Sequence, residues 1–382
     1  MDTFITQQIE QEFAYVDSII TAHTNAAVAK VNAEALQTYW EVGEYISHHI
    51  KESAWGDKVV SELADYLKRQ NPKRKGYGKR NLYNMVRFYE TYSSYDYNNL
   101  TEQLQLSEFV QSQTAQIAPK EIVQAVSAQI TQPSIVQAVS AQMPSLLLLT
   151  TFSSHIEILN RCSNNEERVF YILYAAHQHL NFRELRRCIV NQTYASVMSK
   201  EKMMSPAMLK QYPGAEYMLK DQVLLDFLHL KEKHTEPQLH ASLLENMKRF
   251  ILELGKGDFL YIDQEYTVQV GNKRKRIDLV FYHRSLQCLV AVELKAVDFE
   301  AEFVSKMDMY LEALDRDYKK PNENPSVGII LCPSADKAEV EYSINRTMSP
   351  TMVAEYRRIL LPREVMKKSL AEYCEYLKGQ YK

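Results

Sequence analysis

The chain has 382 residues, 46% of them hydrophobic and 24% charged, a composition that supports packed cores and excludes a wholly disordered protein. A formal net charge of −3 excludes a strongly basic molecule, so nucleic-acid binding would have to come from local basic patches. The longest apolar run, residues 146–149, is too short to cross a bilayer, and the first residues do not resemble a signal peptide. We therefore expect a cytoplasmic protein that does not contact the membrane.

Residues 1–110 are predicted to form a helical amino-terminal domain. Apolar side chains recur at three- and four-residue steps between residues 4 and 92, as at Leu36, Tyr39, Trp40 and Ile46. This spacing indicates an all-helical or winged-helix-like module.

A linker is predicted at residues 111–147. Gln, Ser, Ala and Pro dominate this segment, and IVQAVSAQ occurs in it twice, at 122–129 and at 135–142. Two copies are too few for a solenoid, and three prolines interrupt any long helix. We interpret the segment as a flexible connection, with a short helical spacer as the alternative.

A helical connector is predicted for residues 148–235 and an α/β domain for residues 236–382. The connector contains one helix at 164–177 and another that begins after the N-cap Asn181. The pattern of the last domain changes from helical to alternating and back, which predicts the order α-β-β-β-α-β, followed by one more helix. Its predicted elements are a helix at 239–254 ended by Gly255, strands at 261–270, 276–283 and 288–297, a helix at 300–314, a strand at 327–332 and a helix at 334–343.

The second and third strands of this domain bring ionisable side chains together. A hairpin turn at residues 284–287 pairs positions whose numbers sum to 571, which places Asp278 opposite Glu293. Directly opposed side chains share a face, with Cβ atoms roughly 4.5–5.5 Å apart. Lys295 follows Glu293 by two residues, so strand alternation places it on the same face.

Two carboxylates and a lysine on one face fit metal-assisted phosphodiester hydrolysis. Carboxylates can hold Mg²⁺ or Mn²⁺, and the lysine can orient the attacking water or offset charge that develops in the transition state. The alternative is a cluster of opposite charges on a solvated strand face. Glu245, on the preceding helix, is either an additional carboxylate or part of a solvated helix face.

The chain resembles the YhcG-like proteins, which join a helical amino-terminal domain to a PD-(D/E)xK nuclease domain. The matching segments are ALQTYWEVGEYISHHI, WGDKVVSELA, GKRNLYNMVRFYETY, ERVFYILYAAHQHLNFRELRRCI and FILELGKGDFLYIDQEYTVQVGNKRKRIDLVFYHRSLQCLVAVELK. The resemblance implies a restriction-endonuclease-like core, metal ligation by Asp278 and Glu293, and a catalytic role for Lys295. Ile277 stands where the motif has its proline, and Lys306 stands where related nucleases often carry a further polar residue of the site.

Two basic patches are predicted to contact nucleic acid, and Lys306 is assigned to the same role. The first patch is in the amino-terminal domain and the second is at a hairpin tip that leads into the strand of Asp278. Their members are Lys73, Arg74, Lys75, Lys79 and Arg80, and Lys273, Arg274, Lys275 and Arg276. Ordinary solvated charge is the alternative for both patches.

The sequence as a whole predicts a metal-dependent nuclease that hydrolyses phosphodiester bonds in DNA. The rival hypothesis is a protein on a nuclease fold that binds nucleic acid, or serves in an assembly, without cutting. The sequence leaves open whether the protein forms a homo-oligomer, and it does not specify the form of the nucleic acid.

Overall fold

A computed structural model describes residues 2–52, 55–97, 99–100, 143–198, 202–228, 234–357, 373–375 and 377. The chain divides into two compact units, Met1–Ala176 and His177–Lys382. Within the described ranges, every helix is either too short or too polar to span a membrane. The predicted linker lies outside these ranges up to residue 142, including both copies of IVQAVSAQ. The predicted domain boundaries at residues 110, 147 and 235 stay predictions.

The described part of the first unit is built from helices alone, as expected for a helical amino-terminal module. No strand is found among its described residues. Its helices are α1 (Asp2–Lys51), α2 (Asp57–Gln70), α3 (Lys79–Ser93), α4 (Phe152–Arg161) and α5 (Asn165–His177), with a 3-10 turn at Ser145–Leu149.

The core of this unit forms where α1 approaches α3. Trp40 is buried and meets Phe88 and Tyr89 edge-on, with ring centroids 5.9 and 5.0 Å apart. Gly43 lies one turn further along α1, at the closest approach of the two helices. A Cβ atom placed on Gly43 would lie 2.2 Å from the carbonyl oxygen of Met85. Only glycine allows this contact between the two backbones.

We expect Gly43→Ala to lower the free energy of unfolding of the first unit by about 1–3 kcal/mol, because the added methyl group forces the two helices apart. Both tryptophans of the chain, Trp40 and Trp55, lie in this unit, so tryptophan fluorescence during urea unfolding reports on it selectively. Gly56→Ala is the control, since its Cβ would meet nothing within 4 Å. A midpoint for Gly43→Ala equal to that of the control would contradict the close packing.

The second unit begins with short elements and continues into the predicted α-β-β-β-α-β order. The capping box at Asn181, with Glu184 as its partner, confirms the predicted start of α6. The short elements are α6 (Phe182–Val190), α7 (Thr193–Val197), β1 (Met203–Met204), α8 (Pro206–Gln211), α9 (Ala215–Met218) and β2 (Gln222–Leu224). The elements that follow are α10 (Glu236–Glu245), α11 (Met247–Gly255), β3 (Phe259–Val270), β4 (Lys273–His283), β5 (Cys288–Leu294), α12 (Glu302–Asp317), β6 (Asn324–Cys332), α13 (Lys337–Ile344) and β7 (Thr351–Arg357).

The strands form one mixed sheet in the order β1-β7-β6-β5-β4-β3, with β2 also paired to β7. Neighbours are antiparallel from β3 to β5 and parallel from β5 to β7. Strands β1, β2 and β7 were not predicted. The prediction of a single helix at 239–254 was wrong. The structure has two helices there, α10 and α11, separated at Asn246.

Helices cover both faces of this sheet and bury it. On one face, Leu239 of α10 and Phe250 of α11 pack in a cluster with Phe281 and Val292 of the sheet. On the other face, α12 contributes residues such as Leu311 to a second cluster. Because both faces are covered, polar side chains near the sheet centre are shielded from water, which determines the chemistry of the candidate site.

Candidate active site

The β4–β5 hairpin has the predicted register. Five pairs, from Leu279 with Val292 to His283 with Cys288, all sum to 571. The turn follows His283 directly, and Gln287 adopts a left-handed conformation with φ of 51° where the chain re-enters β5. Continued by one residue, this register brings Asp278 and Glu293 to the same level of the sheet.

The structure brings Asp278, Glu293 and Lys295 together, as the sequence predicts. Lys295 Nζ lies 2.9 Å from Glu293 Oε1, and both residues are buried, with 6% and 1% of their surface exposed. Asp278 Oδ2 accepts a hydrogen bond from the backbone N–H of Leu294 at 2.7 Å. This bond links the two strands one residue beyond their last backbone pair, Leu279 with Val292, and it holds the Asp278 carboxylate at the end of the hairpin.

Helix α12 adds a second cation to Glu293. Lys306, which was predicted to contact nucleic acid, forms an ion pair with Glu293 Oε1. Its ammonium nitrogen also lies 5.5 Å from the ring centroid of Tyr310, one helical turn further on. Lys306 is therefore placed at the carboxylate cluster, with its side chain 40% exposed.

Helix α10 contributes two residues that the sequence analysis missed. Glu236, in its first turn, lies 3.2 Å from Lys295 Nζ, and His240 Nε2 lies 3.3 Å from the backbone oxygen of Asp278. The capping box of Thr235 and Gln238 fixes the start of this helix and so the position of Glu236. The proposed additional carboxylate Glu245 is exposed at the other end of α10, which agrees with the solvated-face alternative.

The negative charge of Asp278 is poorly compensated. Burial, followed by the negative charge of Glu293, raises the pKa of Asp278 to about 6, although the Leu294 N–H and the two lysines act in the opposite direction. Burial alone would lower the pKa of Lys295, but its hydrogen bond to Glu293 and the charge of that carboxylate outweigh burial, so the pKa is raised. Lys295 is thus held as an ammonium ion.

One oxygen of Glu293 has no partner among the described residues. Both lysines approach Oε1, whereas the buried Oε2 accepts no hydrogen bond from the part of the chain that the structure describes. A buried carboxylate oxygen without a partner is costly unless another group satisfies it. This oxygen, together with the unfavourable charge on Asp278, fits a divalent cation, which prefers carboxylate ligands.

Two carboxylates of this cluster, Asp278 and Glu293, would be available to such an ion. Within the described part of the chain, no group of three or more His, Cys, Asp or Glu side chains is arranged to hold a metal. Glu236, a further carboxylate in contact with the cluster, is paired with Lys295. Any remaining ligands would therefore be water or substrate oxygens, as is usual for Mg²⁺ in phosphoryl chemistry.

The basic hairpin tip leads into this cluster along β4. Lys273, Arg274 and Arg276 are exposed and Lys275 is half-buried. The backbone oxygen of Arg276 accepts a hydrogen bond from Tyr310 at 2.5 Å, which holds the hairpin to α12 two residues before Asp278. The other predicted patch, with Lys73, Arg74, Lys75, Lys79 and Arg80, is exposed on the first unit.

Comparison with known proteins supports the nuclease resemblance. Residues 216–371 match the YhcG PDDEXK nuclease domain, and residues 15–118 match the DUF1016 N-terminal domain. The protein named "Putative nuclease YhcG" from Escherichia coli (strain K12) is 30% identical over 219 residues. That match covers 56% of this chain and 57% of the relative, so the chain spans little more than half of the relative's length.

Two solved structures also show similarity, both at low scores. A repair endonuclease from Pyrococcus abyssi is 18% identical, with a TM-score of 0.23, over 35% of this chain and 50% of its own. EndoMS in its apo form is 20% identical, with a TM-score of 0.22, over 35% of this chain and 49% of its own. At these scores the two likenesses say nothing further about this protein. The two domain matches confirm the predicted resemblance to proteins that join a DUF1016 N-terminal domain to a YhcG PDDEXK nuclease domain.

Proposed function

We propose that this protein is a metal-dependent nuclease that hydrolyses phosphodiester bonds in DNA at Asp278, Glu293 and Lys295. The observation that carries this proposal is Glu293 Oε2, which has no hydrogen-bond partner within the described ranges and is buried beside a second carboxylate whose pKa is raised to about 6. A purely structural ion pair would satisfy its acid, whereas a cation-binding site leaves acceptor oxygens available.

The proposed roles follow from the contacts. Asp278 and Glu293 would hold Mg²⁺ or Mn²⁺, which would supply Lewis-acid polarisation of the phosphate and activation of a bound water. Lys295, kept charged by Glu293, would orient the attacking water or offset negative charge that develops on the phosphate. Glu236 contacts Lys295 and Lys306 contacts Glu293, so we assign both a positioning role in the absence of substrate.

The basic hairpin tip is proposed to hold the substrate backbone. Simultaneous replacement of Arg274, Lys275 and Arg276 by Ala is expected to weaken DNA binding by at least about 10-fold and to reduce the salt dependence of binding, because fewer counterions are released. Fluorescence anisotropy at several salt concentrations, with EDTA present, measures both quantities.

The control for that variant is Lys210→Ala/Lys248→Ala/Arg249→Ala, which removes the same charge from exposed positions on α8 and α11. It is expected to bind like the parent protein. Equal losses in the two triple variants would show that net charge, rather than the hairpin, governs binding.

The proposed activity is tested by incubating the full chain with labelled duplex, branched and single-stranded DNA and with RNA. Each substrate is combined with Mg²⁺, Mn²⁺ or EDTA. We expect cleavage of DNA with either metal and none with EDTA. Binding without cleavage under every condition would favour the rival function, a nucleic-acid-binding protein on a nuclease fold.

A further inference from the structure

The carboxyl end of α2 and the turn that follows it form a strongly basic surface on the first unit. Residues 68–80, here called the basic turn, contain seven lysines and arginines and no acidic residue, in a chain whose net charge is −3. All seven side chains are exposed: Lys68, Arg69, Lys73, Arg74, Lys75, Lys79 and Arg80. The positive charge is thus concentrated locally and faces the solvent.

Very little of this charge is neutralised within the unit. Lys79 Nζ lies 2.6 Å from a carboxylate oxygen of Asp57. Across the described ranges of the chain, the other six cations form no ion pair. Neighbouring ammonium and guanidinium groups repel one another, and their repulsion is relieved when an anion binds between them.

The backbone of the basic turn is held in place despite its exposure. The amide nitrogens of Lys73 and Arg74 donate to the side chain and the carbonyl oxygen of Asn71, at 3.2 and 2.9 Å. Gly76 adopts a left-handed conformation with φ of +93°, and its carbonyl oxygen accepts a hydrogen bond from the Asn81 side chain at 2.5 Å. The cations are therefore displayed on a structured turn.

The basic turn also encloses a pocket of about 420 Å³ against α2. Its walls contain four cations, Lys68, Arg74, Lys75 and Lys79, and one carboxylate, Asp65, together with Ser61 and the aromatic ring of Tyr77. The Arg74 guanidinium lies 5.9 Å from the centroid of that ring, which orients it at the pocket. A concave surface with cations on several sides can surround an anionic chain.

From this arrangement we propose that the basic turn is a nucleic-acid-binding surface that contacts successive phosphates, separately from the β4–β5 site. Residues 68–80 contain seven cations, more than a single phosphate group can contact. A nucleic acid, which has one negative charge per nucleotide, offers enough phosphates to contact several of them at once. Linked to a second binding site in the same chain, such a surface would raise the local concentration of substrate. This surface would bind nucleic acid whether or not the β4–β5 site cleaves it.

The test compares two full-length double variants with the parent. Arg74→Ala/Lys75→Ala removes two cations of the pocket, and Lys30→Ala/Lys51→Ala removes two exposed cations of the same unit outside it. Binding of labelled 30-nucleotide DNA, single-stranded and duplex, is measured with EDTA at several salt concentrations. The pocket variant is expected to bind at least about 10-fold more weakly, with a duplex salt slope lower by about 2. The control variant is expected to stay within about twofold of the parent, because loss of non-contacting surface charges changes few phosphate contacts.

Equal affinity and equal salt slope in the pocket variant and the parent would overturn the proposal, as would equal losses in both variants. Unlabelled DNA and unlabelled polyglutamate are then compared as competitors of the labelled DNA. We expect unlabelled DNA to displace it at a lower total concentration of negative charges than polyglutamate does. Preferential displacement by polyglutamate would instead indicate an acidic protein partner and would also overturn the proposal. Because EDTA prevents metal-dependent cutting, these results do not depend on whether the β4–β5 site is active.

Discussion

Replacement of Glu293 by Gln is expected to lower the rate of DNA cleavage by roughly 1,000-fold or more, since a metal ligand's contribution of several kcal/mol corresponds to several factors of ten. The change keeps the size of the side chain and removes the negative charge of Glu293 beside Asp278. DNA affinity should stay similar, because Glu293 is 1% exposed and the basic residues that face solvent are unchanged. Single-turnover cleavage and anisotropy on the same preparation separate the two effects.

Glu245→Gln is the matched control, because it makes the same chemical change on an exposed face of α10. It should cut and bind like the parent. If Glu293→Gln cuts as fast as the parent when the two are purified in parallel, the activity does not belong to this site.

Replacement of Asp278 by Asn is expected to abolish cleavage and yet stabilise the metal-free protein by about 1–3 kcal/mol at pH 7.5. The folded-state pKa of Asp278 is raised to about 6 from 3.8, so the folded protein holds this proton more tightly than the unfolded chain does. Stability from this group is therefore present at low pH and is lost as pH rises through about 4 to 6. Asn cannot ionise, so the variant avoids this loss while it can still accept the Leu294 hydrogen bond.

The increase in the free energy of unfolding of the Asp278→Asn variant should therefore be small near pH 4 and complete above about pH 6. Urea unfolding in EDTA measures it at each pH. Groups that do not interact with Asp278 titrate equally in both proteins and cancel in the difference. Saturating Mg²⁺ should stabilise the parent but not the variant, because the folded parent alone retains both carboxylate ligands. A variant that is less stable than the parent at pH 7.5 in EDTA would show that the Asp278 charge is well compensated.

The central pair of carboxylates could be predicted because it depends on local rules. Turn position fixes hairpin register, and the sum of 571 holds for all five pairs from Leu279–Val292 to His283–Cys288. Alternation then places Lys295 with Glu293, and the structure shows these two side chains in contact. The catalytic roles of these residues stay predictions until activity is measured.

The contacts that helices make with the pair could not be predicted, because these helices are distant from the hairpin in the sequence and meet it only in the folded protein. Glu236 reaches Lys295 across 59 positions of the chain, and no periodicity relates the two. The predicted third strand extended to Val297, but β5 ends at Leu294, and Val297 is 51% exposed. An alternating apolar pattern continues past that point, whereas the pairing of the strand depends on how far its neighbours extend.

Strand β7 and the break at Asn246 were missed for related reasons. Five of residues 351–357 are buried and the other two are half-buried, but their apolar residues are too few to distinguish a strand from a buried helix by spacing alone. At Asn246 the backbone leaves the helical region, with φ of −114° and ψ of 22°, although the apolar spacing continues on both sides. The interruption lets α10 carry Glu236 to the site and α11 pack separately on the sheet.

The most direct test of the proposed metal centre is the anomalous scattering of crystals grown with Mn²⁺ and a short DNA duplex. We predict a manganese peak between the carboxylates of Asp278 and Glu293, with Glu293 Oε2 among its ligands and a phosphate of the DNA beside Lys295. Manganese bound elsewhere, with Lys306 still paired to Glu293 and no metal at Oε2, would contradict the assignment of this cluster as the catalytic centre.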